Sequence, residues 1–406
     1  MPSLNETPSS NRIHIGIFGK TNSGKSSLIN AFTNQSVSIV SDLAGTTTDP
    51  VYKSMEIHPI GPCMLIDTAG FCDYTDLSDK RYEKTKQVID KSNAAVIVIS
   101  ACDNDTSLDT EIALYKQFKE QNTPVIFVIN KADIKANNAD EIYERILSLT
   151  GIRALAASAL EGDGISELKD ALSEVVYNDD GHRFITGSLV SEDDCVLLVM
   201  PQDIQAPKGR LILPQVQTLR ELLDKKCHIM CVTTDKLVSA LELLKYPPKL
   251  IITDSQVFDY VYEHKPQESL LTSFSVLFAA YKGDIEYYIQ GAKMLDELNG
   301  NSKVLIAECC THAPLSEDIG RVKLPKLIRK RAGDGIDIQI VSGADFPDDL
   351  KKYDLIIQCG ACMFNRKFVL SRLMRAKHDS VPMTNYGIAI AYLKGILDKI
   401  EVVKEI

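Results

Sequence analysis

Tryptophan is missing from this chain of 406 residues, and that absence excludes nothing. Other scarcities say more. No run approaches the roughly 18–20 uninterrupted apolar residues of a membrane-crossing helix, so no membrane association is expected. The opening residues, Met1-Pro2-Ser3-Leu4-Asn5-Glu6-Thr7, carry neither a basic start nor an apolar run, and no secretory signal is expected there. Basic side chains are outnumbered: 45 Lys and Arg against 55 Asp and Glu leave a net charge of −10. Phosphate contacts need a basic surface, so no nucleic-acid partner is expected. Ten cysteines are too few for a disulfide framework in a chain of this size. The expected compartment is therefore the reducing cytoplasm, with free thiols. What is present is ordinary globular material, 45% hydrophobic and 25% charged, long enough for two or three domains.

Between Ile13 and about Val176, short apolar runs alternate with amphipathic stretches. Residues 13–18, 64–66, 94–99 and 125–129 are β-branched runs of buried-strand type, and 109–121 and 140–149 have helical periodicity. This order predicts a doubly wound, mainly parallel sheet. The polar segment 177–182 breaks the pattern. A second α/β region has predicted strands at 195–200, 228–232 and 250–253 and a helix over 215–225. A third begins near Leu270, with a helix over 284–298, strands at 303–307, 337–341 and 354–357, and a helix after Cys362.

Gly19-Lys20-Thr21-Asn22-Ser23-Gly24-Lys25-Ser26 fits G-x-x-x-x-G-K-[ST], after a predicted strand and before a predicted helix over 27–33. In that setting the glycines let the backbone wrap a phosphate. The loop from Gly19 through Asn22, Ser23 and Gly24 to Ser27 then points amide N–H groups and a helix N-terminus at the anion. Lys25 reaches the β- and γ-phosphates, and the Ser26 hydroxyl ligates Mg²⁺. Asp67-Thr68-Ala69-Gly70 places Asp67 near that metal and the Gly70 N–H near a γ-phosphate. Gly45-Thr46-Thr47-Thr48-Asp49 offers a second metal-binding hydroxyl, assigned to Thr47. Asn130-Lys131-Ala132-Asp133 ends another predicted strand, where a carboxylate accepts both N–H groups of a guanine edge. Adenine cannot offer that pair, and a wrong base leaves buried groups unpaired. Ser158-Ala159 follows the last strand, placed to meet the base oxygen through backbone N–H. Each segment alone reads as an ordinary loop; in this order they point to GTP or GDP.

This constellation resembles the translation-factor-like GTPases, in particular the group containing tRNA-modification and ribosome-assembly GTPases. That group often activates hydrolysis with K⁺ held by a P-loop asparagine, the place Asn22 occupies. Many regulatory GTPases carry a water-positioning glutamine after the D-x-x-G glycine; here Phe71 stands there. The resemblance thus implies slow intrinsic hydrolysis, with Lys25, Asn22 and Gly70 at the transferring phosphate, helped by K⁺ and by a partner. Ala69 stands where the group commonly has proline, which the backbone-based chemistry tolerates.

Of the ten cysteines, Cys63, Cys72, Cys102, Cys195, Cys227 and Cys231 are scattered and read as packing residues. Cys309-Cys310-Thr311-His312 and Cys359-Gly360-Ala361-Cys362 instead follow two predicted strands of one α/β region, where open sheets place ligand sites. C-x-x-C lets two thiolates grip one metal, and the predicted helix behind it favours thiolate. Cys310, Cys359, Cys362 and His312 fit a structural zinc site, and Cys359 with Cys362 alone fit a redox pair. A three-cysteine iron–sulfur cluster with an exchangeable fourth position fits as well.

A GTPase of this type followed by C-x-H and C-x-x-C resembles the maturation GTPases of [FeFe]-hydrogenase. The likeness extends through Ala206-Pro207-Lys208-Gly209-Arg210, Thr253-Asp254-Ser255-Gln256, Glu317-Asp318-Ile319-Gly320-Arg321 and Pro382-Met383-Thr384-Asn385-Tyr386-Gly387. It implies an α/β chain with a P-loop GTPase domain of mainly parallel sheet over 1–176 and a linker over 177–188. Two smaller α/β domains follow, for dimerisation over 189–269 and for a [4Fe–4S] cluster over 270–406. Cys310, Cys359 and Cys362 become the cluster cysteines, with His312 or Asp203 as a possible fourth ligand. The family carries a transient di-iron subcluster to apo-[FeFe]-hydrogenase, with two radical-SAM maturases upstream, and a homodimer is implied. Many members have histidine where this chain has Gln358, which favours a labile fourth position. The rival reading is a ribosome- or tRNA-directed GTPase with a structural zinc. It calls for a basic RNA-binding appendage that the acidic balance does not supply.

Overall fold

The alternation of apolar and amphipathic segments resolves into two units, Met1–Gly181 and His182–Ile406. A computed structural model describes residues 7–33, 50–68, 78–103, 106–134, 138–179, 183–201, 211–309, 319–343 and 345–404. The first unit runs β1 (Ile13–Phe18), α1 (Lys25–Thr33), β2 (Val51–Ile57), β3 (Gly61–Asp67), α2 (Ser78–Lys91) and β4 (Ala94–Ser100). It continues with α3 (Asp109–Glu120), β5 (Val125–Asn130), α4 (Ala139–Thr150), β6 (Leu155–Ala157) and α5 (Ile165–Asp179). The sheet order is β2-β3-β1-β4-β5-β6, parallel except for β2 against β3.

Continuous apolar strands are explained by cover on both faces. Val96 and Val98 of β4 pack on one side with Leu28 and Phe32 of α1 and Leu168 and Leu172 of α5. Ile97 and Ile99 pack on the other with Val88 of α2, Phe118 of α3 and Ile142 of α4. Strand β2 had no such signal: Val-Tyr-Lys-Ser-Met-Glu-Ile alternates along a half-exposed edge, the pattern of an antiparallel hairpin rather than a buried strand. Register then fixes the site. Ile17 pairs with Asp67, Ser100 with Asn130 and Asn130 with Ala157, so the ends of these strands share one edge of the sheet.

The second unit holds two four-stranded parallel sheets. Its first half contains β7 (Cys195–Val199), α6 (Leu213–Asp224), β8 (His228–Val232), α7 (Leu237–Leu243), β9 (Leu250–Thr253), α8 (Phe258–His264) and β10 (Leu270–Ser273). Helices α9 (Phe274–Lys282) and α10 (Ile285–Lys293) follow. Then come β11 (Lys303–Ala307), α11 (Leu324–Ala332), β12 (Asp337–Val341), β13 (Leu355–Gln358), α12 (Arg366–His378), β14 (Met383–Asn385) and α13 (Tyr386–Leu393). The orders are β10-β9-β7-β8 and β12-β11-β13-β14. Strand β10 lies past residue 269 yet completes the sheet begun at β7.

One hydrophobic core runs through both sheets. At its centre are α9 and α13, apolar almost all round, as buried helices are. Each starts directly from a strand end, capped by the side chain of that strand's last residue. Ser273 accepts from the Val276 N–H, and Asn385 from the Ile388 N–H. A Cβ on Gly387 would meet Ser275 Oγ at 2.5 Å, so only glycine lets these two helices approach so closely.

Cys63 and Cys227 are buried, and Cys102 and Cys195 partly so. Cys231 departs from the packing role expected of it: it is exposed on β8, an edge strand with one uncovered side. Cys72 lies outside the described residues.

Candidate functional site

The loop from Gly19 to Gly24 joins β1 to α1 at the shared strand edge. Its conformation demands its composition. Gly19 has φ +151° and Gly24 φ +92°, and Cβ atoms there would meet Val98 O and Asn130 Nδ2, each at 2.2 Å. Asn22 also sits at positive φ, 65°, tolerated best by short polar side chains, and its side chain is exposed at the loop's crest. Lys25 begins the helix and turns back over the loop, donating to Gly19 O and Lys20 O, both at 2.9 Å. Its ammonium is buried, held across the mouth of the loop where phosphate oxygens would lie.

Beside it, Ser26 Oγ donates to Asp67 Oδ2 at 2.6 Å. Burial raises the Asp67 pKa against the opposing pull of Ser26 and Lys25. The other oxygen, Asp67 Oδ1, is buried with no hydrogen-bond partner among the described residues. A hydroxyl and an orphaned carboxylate oxygen at the end of β3 fit a hard, oxygen-seeking cation such as Mg²⁺. Thr68 anchors the chain beyond, its Oγ1 donating to Ile17 O at 2.7 Å. Gly70 and Thr47 lie outside the described residues, as do Cys310, His312 and Asp203.

At the other end of the edge, Asn130 turns out to be a brace. Its side chain is 1% exposed; Nδ2 donates to Ser23 O at 3.0 Å and Oδ1 accepts from the Ala159 N–H at 3.1 Å. It thus ties the phosphate loop to the loop after β6, each bond worth about 1 kcal/mol net. Lys131 adds a second tie, Nζ to Asn22 O at 2.7 Å. Asp133 stays exposed, open to a base edge. Ser158 is buried and receives the Glu161 N–H, which shapes the turn that presents Ala159. Ser27 lies exposed on the first turn of α1. Sequence reasoning placed Asn130 among the nucleotide contacts; the brace needs the strand register to be seen. Lys20 was missed as well: it reaches Asp103 at 3.6 Å and the buried Glu111 at 3.7 Å.

In the second unit, β11 and β13 are paired neighbours, and Cys309 and Cys359 come together just past their ends. The Cys309 N–H donates to Cys359 Sγ at 3.0 Å and the Ala361 N–H at 3.4 Å. The Cys359 pKa is lowered, chiefly by a hydrogen bond from the Cys309 thiol, with these backbone donors adding to it against burial. Cys362 is partly buried in the turn before α12. A thiol held toward its thiolate form is the donor a soft metal or a cluster iron takes. Among the described residues no group of three or more metal-binding side chains gathers.

Two buried cations surround this turn, neither anticipated from sequence. Arg372 donates through Nη1 to Cys309 Sγ at 3.5 Å and through Nη2 to Gly343 O at 2.8 Å. Its guanidinium lies over Phe346 and Phe368 at 4.8 and 4.5 Å. Lys282 donates to Ala361 O at 3.0 Å and Phe364 O at 2.8 Å. Burial pulls its pKa down to about 8, and the thiols of Cys362, Cys309 and Cys359 work against that fall. In sequence, a lysine ending an apolar helix reads as a solvated last-turn cation.

No described helix is long and apolar enough to cross a membrane. Comparison with known proteins matches residues 14–131 to the 50S ribosome-binding GTPase family model. The tRNA modification GTPase MnmE of Heliobacterium modesticaldum is 33% identical over 41% of this chain and 34% of its own length. GTPase Der of Wolinella succinogenes is 34% identical over 43% of this chain and 38% of its own. The chain thus spans about a third of the length of these relatives. The crystallised G domain of the T. maritima FeoB iron transporter aligns with 41% of the chain and 99% of its own at 21% identity and TM-score 0.33. Residues 185–283 match the Hydrogen maturase F dimerization domain, and residues 286–402 match its tetramerization domain. With that family's two oligomerisation domains in order behind a P-loop GTPase domain, the chain belongs to the hydrogen maturase F family.

Proposed function

We propose that the chain is a GTP-hydrolysing scaffold that binds a [4Fe–4S] cluster on Cys310, Cys359 and Cys362 and delivers a di-iron precursor to apo-[FeFe]-hydrogenase. The observation that carries this reading is the Cys359 sulfur, just past the end of the interior strand β13, accepting two backbone N–H groups and held toward thiolate. When bound, the cluster supplies an iron with an exchangeable position, for which His312 and Asp203 are the candidate ligands. The two radical-SAM maturases are the proposed source of the di-iron unit. Oligomerisation domains cover most of the second unit, and a homodimer is the smallest assembly they support.

In the GTPase domain, Lys25 is set to exchange its bonds to the loop carbonyls for the β- and γ-phosphates, where negative charge builds up in the transition state. Ser26 and Asp67, with Thr47, would hold Mg²⁺, which when bound neutralises phosphate charge. Asp133 would select guanine, and the Asn130 brace keeps the base end and phosphate end at a fixed separation. Asn22 stands exposed on the loop, available to K⁺. Hydrolysis is expected to run faster in KCl than in NaCl, and Asn22→Ala should erase the difference; equal wild-type rates in the two salts would remove K⁺ from the account.

Delivery is tested by loading the chain anaerobically with the di-iron unit, mixing it with purified apo-[FeFe]-hydrogenase and measuring hydrogen evolution. Loaded chain is expected to switch the enzyme on and unloaded chain to leave it silent. A loaded chain that leaves it silent overturns the carrier role.

A further inference from the structure

Lys282 is 3% exposed, and among the described residues it forms no ion pair with a carboxylate. A buried ammonium without a counter-charge is costly, so its surroundings indicate what balances it. They are two carbonyls of the cysteine turn, the thiols around it, and the ring of Phe278, whose centre is 5.6 Å from the ammonium. One of those carbonyls belongs to Ala361, which has φ 46°, the left-handed region an L-residue enters only at a cost. That unusual backbone lets the Ala361 N–H point back at Cys359 Sγ while its carbonyl faces Lys282. Phe364, the other acceptor, stacks on Phe368 of α12 with ring centres 4.3 Å apart. Lys282 itself is the last residue of α9, a helix buried through its length and started by the Ser273 cap. A rigid core helix therefore delivers one positive charge to the inner side of the C-x-x-C turn.

We propose that Lys282 is the positioning residue and built-in counter-charge of the Cys359–Cys362 turn, fixing its shape and raising the reduction potential of the cluster bound there. This rests on the iron–sulfur reading above. A thiolate-ligated cluster is anionic and becomes more so on reduction, so a fixed cation beside it favours the reduced state. Groups that orient first ligands typically influence metal affinity by about 10–100-fold.

The test uses the full-length chain, reconstituted anaerobically with iron and sulfide, as wild type, Lys282→Met, Lys282→Gln and Lys282→Arg. Iron and sulfide content and the midpoint potential from an EPR-monitored redox titration are read, with circular dichroism as the check on folding. Lys282→Met is expected to bind the cluster about tenfold more weakly and to shift the midpoint to lower potential, while Lys282→Arg returns the potential toward wild type. If Lys282→Met does not fold, Lys282→Gln, which keeps a donor but no charge, carries the same expectation for the potential. A neutral variant that folds and loads with the wild-type potential overturns the proposal alone. A wild-type chain that takes up neither iron nor sulfide overturns the iron–sulfur reading, and this one with it.

Discussion

Replacing Lys25 by alanine is expected to lower kcat/KM for GTP by about 10²–10³-fold, the usual effect of removing one transition-state donor, or roughly 2.7–4 kcal/mol. The effect is large because this ammonium is already buried and already in place. Lys25 lies across the phosphate loop on the carbonyls of Gly19 and Lys20, so little reorganisation is needed when a phosphate displaces them. The loop beneath it is held independently, by Asn130 on Ser23 O and Lys131 on Asn22 O. Lys25→Ala should therefore keep its fold while losing turnover. Steady-state phosphate release with GTP and Mg²⁺, alongside circular dichroism, checks it; turnover within a few-fold of wild type would show that the loop amides alone suffice.

The second large effect separates the two units. Cys359→Ser is expected to remove the iron–sulfur chromophore entirely while leaving GTP hydrolysis at the wild-type rate. Serine keeps the size of the side chain but offers a hard oxygen that stays protonated near neutral pH, a poor match for iron–sulfur iron. Cys309→Ala should keep the colour: it removes the thiol, but the backbone N–H that donates to Cys359 Sγ remains. Both variants are read by visible absorption after anaerobic reconstitution, with GTPase rate as the control. Colour retained in Cys359→Ser, or hydrolysis lost with it, would contradict the assignment of metal chemistry to the second unit and phosphate chemistry to the first.

Sequence made the GTPase domain legible because its function is written in local motifs: a phosphate-binding loop must be contiguous, and buried parallel strands are continuous apolar runs. What it hid were features made by register and burial. Strand β2 is a half-polar edge, and β10 and β14 span only four and three residues. Asn130 belongs to a recognisable motif, yet its side chain acts at Ser23 and Ala159, through contacts only the strand pairing discloses. The cysteines could be grouped from sequence because each pair ends an apolar run. Lys282 and Arg372 could not, since a basic residue at the end or in the middle of a helix looks the same whether it meets water or a buried turn.

The central claim is that this family member couples a GTPase domain to an iron–sulfur site, and anaerobic purification followed by iron, acid-labile sulfide and zinc analysis tests it most directly. The account predicts a brown protein with broad absorption near ~400 nm and about four iron and four sulfide per chain. A colourless chain carrying one zinc and no sulfide would contradict it and return the C-terminal cysteines to a structural role.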